Sequence, residues 1–372
     1  MNIALLCISP GLGGLELNVY RLARRLRERQ HEVVLIASPG TPIYEKAAAE
    51  NFPLLPLRVK SRYADFPAAR QLAHLLRERN IHSLIFSVAK DNYVAVWAKL
   101  FFYPPLRVYY LQQMQLGVAK KGFVQTILYR NLAAWIAPLE MLARQAREKT
   151  HIPPDRITLI PFGIDTQQFA SAQTRKTEAR SVLELPPNAW IAGVVGRLDP
   201  AKGQEFLIRA AALLREKGHD LHLLLVGEET RNATGGYSAF LQELVRELKL
   251  EPVVHFRPFT DQPETAFAAL DAFVLSSLSE TNGTVVLEAM AAGLPVIGTN
   301  SGGTPEQLGF GKFGLLTEPQ DVNGLANALE QLMQQPVQAA QLGQNAQQYA
   351  RQHYDYRIQC ELIEQLLSRK QS

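Results

Sequence analysis

Ser279-Glu280-Thr281-Asn282-Gly283-Thr284-Val285-Val286-Leu287-Glu288-Ala289-Met290-Ala291-Ala292-Gly293-Leu294-Pro295-Val296-Ile297 decides how this chain is read. The apolar run Ala272 to Leu275 precedes it, a glycine opens an Ala-rich helix, and Gly293-Leu294-Pro295 stops that helix before another apolar run. Period and punctuation predict one βαβ unit. Glu280 falls in the loop at the carboxyl end of the first strand, where open α/β sheets take ligands, and Glu288 lies about a turn inside the helix. The free amides around Gly283, Thr284 and Val285, at the positive helix end, form an anion site. Amides for an anion, beside carboxylates that accept from hydroxyls, suit a sugar joined to a phosphate.

The same plan extends in both directions. Apolar runs at 2–8, 32–37, 82–86, 106–111, 134–137 and 157–160 alternate with helical patterns, as do runs at 190–195, 221–226, 253–256, 272–275 and 295–298. Such alternation implies α/β architecture, parallel sheets with helices on both faces. At 372 residues the chain exceeds one comfortable core, so two domains are expected. Residues 171–180 are small and polar without an apolar period and read as a linker or as the lead into a new domain, whereas the Gln-rich stretch 331–352 keeps Leu and Ala at helical spacing. The opening strand leads into Gly11-Leu12-Gly13-Gly14, where backbone approaches a phosphate or sugar; this is not the spacing of the dinucleotide fingerprint, and no acidic ribose ligand ends the second strand.

Composition narrows the classes. Two cysteines, Cys7 and Cys360, argue against a disulfide framework and for a reducing compartment. The amino terminus carries no basic leader, and no apolar run reaches roughly 18 residues, so a cytoplasmic protein is expected. Residues 1–170 hold 22 Lys and Arg against 12 Asp and Glu; the remainder holds 17 against 23. No motif supports nucleic acid as the partner of the basic half. Lys99-Leu100-Phe101-Phe102-Tyr103-Pro104-Pro105-Leu106-Arg107, with Lys120 and Lys121 nearby, mixes aromatics and cations as an interfacial surface does, so peripheral contact with the inner face of a membrane is a hypothesis.

Glu280 and Glu288, with seven residues between them and the tail Glu-Ala-Met-Ala-Ala-Gly-Leu-Pro-Val-Ile, resemble the paired-glutamate motif of retaining glycosyltransferases of family 4, which have the GT-B fold. Val195-Gly196-Arg197-Leu198 with Lys202-Gly203, Ile160-Pro161-Phe162-Gly163-Ile164-Asp165, Gly302-Gly303-Thr304-Pro305-Glu306 and the loop Gly11 to Glu16 are similar to other segments of that family, in the same order. The resemblance covers nearly the whole chain and is weakest at about 61–130. It implies two Rossmann-like domains facing each other across a cleft: an acceptor domain at 1–168, joined by a final helix at about 354–372, and a nucleotide-sugar donor domain at 169–353.

The resemblance also implies roles. Arg197 and Lys202 would neutralise the donor diphosphate, Glu280 would hold hydroxyls of the sugar, and Glu288 the ribose hydroxyls. Gly13, Gly14, Gly283, Thr284, Val285, Gly302 and Gly303 would complete the donor pocket; Asn282 stands where the family usually has an aromatic or apolar residue, and its amide either hydrogen-bonds the sugar or acceptor there or serves as a turn residue. Where the family often has a histidine after the fifth strand, this chain reads Tyr109-Tyr110-Leu111-Gln112-Gln113-Met114-Gln115, and Gln113 is the nominal replacement, able to hydrogen-bond but not to act as a base. Lys90 and Asp91, at a strand's carboxyl end, are acceptor-site candidates. Neither a Cys/His cluster nor a DxD sequence points to a metal, and no cofactor is expected, the nucleotide sugar being a substrate.

The implied activity is retaining transfer of a sugar from a UDP- or GDP-sugar to a hydroxyl of a glycan, lipid-linked or small-molecule acceptor, as in bacterial cell-surface polysaccharide or lipopolysaccharide synthesis. A nucleotide-sugar epimerase of the same fold and a silent nucleotide- or glycan-binding protein are the alternatives; a nicotinamide oxidoreductase is disfavoured by the missing fingerprint.

Overall fold

The computed structural model describes residues 1–61, 63–229, 236–260 and 262–369. They form two compact units, one of residues 1–161 with 359–372 and one of residues 162–358.

The first unit is built on seven parallel strands: β1 (Asn2–Cys7), β2 (Glu32–Ala37), β3 (Leu54–Pro56), β4 (Ser83–Phe86), β5 (Arg107–Leu111), β6 (Ala134–Ala137) and β7 (Ile157–Leu159), in the order β3-β2-β1-β4-β5-β6-β7. Ile3 to Cys7 are all buried, as a strand covered on both faces requires, which is why these runs are continuously apolar rather than alternating. The helix Gly14–Glu28 adds Val19, Leu22, Ala23 and Leu26 at helical spacing. Phe86 stacks on Tyr110, whose ring meets the edge of Trp135 at 4.6 Å.

The carboxyl-terminal helix, Tyr356–Ser368, ends in this unit and buries Cys360, Ile363 and Leu367 there. Glu364 accepts two hydrogen bonds from Arg29, at 2.6 and 2.9 Å, and lies 2.8 Å from His31 Nε2.

The second unit repeats the architecture with β8 (Trp190–Val195), β9 (Leu221–Val226), β10 (Val254–Arg257), β11 (Ala272–Leu275), β12 (Val296–Thr299) and β13 (Leu315–Thr317), again parallel, in the order β10-β9-β8-β11-β12-β13. Its core joins Leu207, Ile208, Ala211 and Leu214 of the helix Gln204–Glu216 to Leu325 and Leu329 of the helix Val322–Gln334. No helix among the described residues is long and apolar enough to cross a membrane.

Several expectations need correction. Residues 171–180 are not a linker: a 3-10 turn, Ala172–Arg175, runs into the helix Lys176–Val182. Arg180 is buried there and donates to Ala269 O, Pro187 O and Asp271 Oδ2, so the helix is anchored by a guanidinium and shows no apolar period. The Gln-rich stretch is helical but divided, into Val322–Gln334 and Pro336–His353, because Pro336 lacks the amide that would continue the first helix. The compact units divide after residue 161 and after residue 358. Ile164 bridges to Asp355, with Ile164 N–H donating to Tyr354 O and Tyr356 N–H to Ile164 O, so both connecting segments are tied together within the second unit.

Candidate active site

In the second sheet the chain leaves β8 towards β9 and β10 and returns on the other side of β8 with β11. Loops after two such neighbours diverge at the carboxyl edge and open a crevice. Lys202 ends the loop after β8, and Glu280 lies in the loop after β11.

Glycine brings the two loops together. Gly203 has φ of 66°, and a Cβ there would lie 2.1 Å from Ser276 O, so only glycine permits this approach. Leu278 N–H donates to Ala201 O at 2.9 Å and Ser276 Oγ to Lys202 O at 3.2 Å. The turn 200–203 is thereby sewn to the end of β11, and Lys202 Nζ forms an ion pair with Glu280 Oε2, both side chains largely withdrawn from solvent.

A second glycine contact holds Glu280 from the other side. Gly302, with φ of 63°, forms a bridge with Glu280, and a Cβ on it would lie 2.1 Å from Glu280 O. Gly303 N–H donates to the same oxygen at 2.8 Å. In this structure the Gly302-Gly303 loop therefore positions the Glu280 main chain, and the Gly303 amide is engaged in that bond.

Gly283 caps the helix Thr284–Ala291, and the stem of Glu280 lies against it: a Cβ on Gly283 would come 2.9 Å from Glu280 Cγ. The helix leaves the amides of Thr284 and Val285 without intrahelical acceptors, beside the Lys202–Glu280 pair. Glu288 is half-buried on the following turn. Asn282 Oδ1 accepts from Gln307 Nε2 at 3.0 Å, and the same nitrogen reaches Gly283 O at 3.4 Å. Gln307 is fully buried, and sequence reading missed it; its one signal is an amide at an otherwise apolar position of a short helix, Thr304–Gln307.

Arg197 is presented differently. Its side chain is exposed and pairs with Asp199 Oδ2 at 3.0 Å, but its backbone is fixed: Leu198 N–H donates to Glu228 O, and Gln204 Nε2 to Arg197 O. A permanent cation on a fixed loop, paired with Asp199, thus precedes the half-buried ammonium of Lys202 by five residues.

The first-unit candidates gather at the corresponding reversal, between β1 and β4. Asp91 is buried, and its Oδ2 accepts from Ile8 N–H at 3.0 Å, tying the loop after β4 to the loop after β1; Lys90 beside it is exposed. Gly13 N–H donates to Glu16 Oε2 at 2.8 Å, so that amide is engaged by the Glu16 carboxylate, while Gly14 starts the helix. Gln113 is buried, donates from Nε2 to Leu15 O and accepts from Asn18 Nδ2, both at 3.0 Å, and so latches β5 to the first helix. Gln112 is committed to Trp135 and Met114. Burial, with Asp91 adding to it, pushes the Cys7 thiol up to about 12, which rules it out as a nucleophile near neutral pH. Among the described residues, no cluster of three or more His, Cys, Asp or Glu is arranged to hold a metal.

Two parallel sheets, each with its loops converging at a reversal of strand order, define a protein of paired Rossmann-like units. Residues 12–168 match the family model described as Glycosyltransferase Family 4, and residues 175–349 match Glycosyl transferases group 1. The chain belongs to the family-4 glycosyltransferases and has their GT-B fold.

It is similar to D-inositol 3-phosphate glycosyltransferase of Pseudarthrobacter chlorophenolicus, at 35% identity over 52% of this chain and 45% of that one. The chain thus spans about half the length of the curated relatives it matches. Among solved structures, Anabaena HepE in complex with UDP superposes with a TM-score of 0.84 at 23% identity, over 99% of this chain and 100% of that one. A glycosyltransferase from Rickettsia africae gives 0.87 at 17% identity, over 99% of each chain. At these identities the structural likeness establishes the fold.

Proposed function

We propose that the chain is a retaining hexosyltransferase that takes its sugar from a nucleoside-diphosphate sugar, UDP- before GDP-linked, and gives it to a hydroxyl of a glycan, lipid-linked or small-molecule acceptor in cell-surface glycan synthesis. The observation that carries this reading is the Lys202–Glu280 pair, held where β8 and β11 diverge. An ammonium for phosphate oxygens and a carboxylate for sugar hydroxyls then lie within one contact of each other, as the two halves of a sugar-phosphate linkage require. The complexes of Anabaena HepE with UDP and with UDP-glucose favour uridine for the base.

As the bond from the anomeric carbon to phosphate oxygen breaks, the bonding pair leaves with the diphosphate. Lys202, Arg197 and the helix-end amides at Thr284 and Val285 stabilise the charge that develops there. Glu280 accepts from sugar hydroxyls, and Glu288 from the ribose. The acceptor oxygen attacks the face the diphosphate leaves, and its proton passes to the departing phosphate oxygen. No side chain serves as covalent nucleophile. Arg197 and Lys202 supply the counter-charge that a metal supplies elsewhere.

The test is a thermal-shift screen of nucleoside diphosphates and their sugars, followed by transfer assays with the binding donors. UDP or a UDP-sugar should raise the melting temperature, and Glu288→Ala should weaken that shift. Release of free epimer without an acceptor would replace this reading with the epimerase; binding without any turnover would replace it with a silent binding protein.

A further inference from the structure

We propose that the first unit docks on an anionic lipid surface through a groove between the helix Phe66–Glu78 and the π-helical turn Ala98–Phe102. The groove, of about 800 Å³, is lined by Phe66, Arg70, Gln71, His74, Arg77 and Phe102 among others.

The helix buries Ala68, Ala69, Leu72, Ala73 and Leu76, which leaves Phe66, Arg70, His74 and Arg77 on one outer stripe at spacings of four, four and three. Opposite it, the helix Asp91–Trp97 passes into the π-helical turn, where the wider turn carries Leu100 and Phe101 outward while Tyr103 and Leu106 stay in the core. The surface therefore differs from the sequence expectation: Tyr103 and Leu106 of the Lys99 to Arg107 stretch are buried, and the partners of its exposed rings come from a helix some thirty residues earlier.

The rings form a platform. Phe101 meets Phe66 at 5.5 Å and Trp97 at 5.6 Å, and Phe66 stacks on Trp97 at 6.0 Å. Phe66 remains 44% exposed, Phe101 57% and neighbouring Tyr63 58%, an unusual amount of ring surface to leave in water. Cations rim it. Arg77 is held by Phe102 O and lies 5.4 Å over the Tyr103 ring; Arg70 stands in solvent. Glu78, paired with His74, is the carboxylate on this stripe, since Asp65 is buried as the helix cap.

Rings at headgroup depth with cations at phosphate level match the chemistry of an anionic bilayer interface. The positive excess of residues 1–170 is the complementary long-range field. This inference does not rest on the proposed transfer reaction.

The test is co-sedimentation of the full chain with vesicles of phosphatidylcholine alone and with added phosphatidylglycerol. Wild type should bind only the anionic vesicles, less tightly as salt rises. Phe66→Ser with Phe101→Ser should lower partitioning roughly tenfold while the lost ring contacts with Trp97 lower the melting temperature by only a few degrees; Arg70→Ala should lower partitioning about fivefold with unchanged melting temperature, because its side chain stands in solvent. Lys120→Glu with Lys121→Glu should keep most of the binding. Three results would overturn the proposal: equal or absent binding to both vesicles, loss only in the Lys120/Lys121 variant, or a vesicle-free dimer that Phe101→Ser breaks, which would make the face an interface between copies.

Discussion

Lys202 and Glu280 are 78 residues apart in sequence, yet their side chains form an ion pair because the loops after β8 and β11 are sewn together at Gly203 and Ser276. In the proposed reaction the pair must open, the ammonium turning to phosphate and the carboxylate to the sugar. Lys202→Ala should lower kcat by about 10²-fold while free-nucleoside binding changes little, because the lost charge acts mainly on the leaving diphosphate. Steady-state kinetics beside nucleoside titration reads both; wild-type turnover in this variant would remove Lys202 from the site.

The two close approaches of glycine predict a graded response. Gly203→Ala and Gly302→Ala each place a Cβ 2.1 Å from a backbone oxygen, so the loops must move and the Lys202–Glu280 geometry goes with them. Gly218 has φ of 87° but no heavy atom near the position of a Cβ, so Gly218→Ala should cost only the conformational strain, about 1–2 kcal/mol, and keep activity. Chemical denaturation paired with activity assays separates the classes; an active Gly302→Ala enzyme would mean that the loop does not set Glu280.

In the paired strands β9 and β10, His222 and His255 stack with ring planes 6° apart and a nitrogen of each 3.0 Å from the other. Burial holds both below their ordinary value of 6.5, the positive neighbour adding for His255. As pH falls through about 6.5 the unfolded chain therefore takes up protons that the folded pair resists, and stability is lost on acidification. Melting temperature should drop more steeply between pH 7 and pH 5 in wild type than in His255→Phe. Parallel profiles would show that the pair does not govern acid stability.

Glu364 is held below the usual carboxylate range, first by its hydrogen bond from Arg29. Glu364→Gln keeps the shape of the contact but removes the charge, and should cost about 1–2 kcal/mol. A scanning calorimeter should register a fall of roughly 2–4 °C. An unchanged melting temperature would mean that Cys360, Ile363 and Leu367 alone hold the helix.

What could be read before the structure follows from how each feature is encoded. Central strands such as Asn2–Cys7 and Leu221–Val226 are buried on both faces, so their apolar runs announce them. Leu54–Pro56 and Leu315–Thr317 are three-residue edge strands, too short for any period to show, and they went unseen. The helix Lys176–Val182 was hidden because a buried arginine, not an apolar stripe, fastens it. At the site, the charged residues and glycines were legible as types in order. Their partners were not: that Gly302 clamps the Glu280 carbonyl, that Gln307 supports Asn282, and that Gln113 is tied to Leu15 and Asn18 all depend on chain segments meeting in space.

The final helix also imposes an order on manufacture. Arg29 and His31 leave the ribosome long before Glu364, which lies 335 residues beyond Arg29, so the unit made first is the unit completed last. Until Cys360, Ile363 and Leu367 arrive, the nascent first unit shows an apolar seat to whatever is nearby, and cells must carry it through that interval without aggregation. Truncation before Cys360 would therefore injure the unit that contains residues 1–161, and residues 1–161 expressed alone would form an incomplete body.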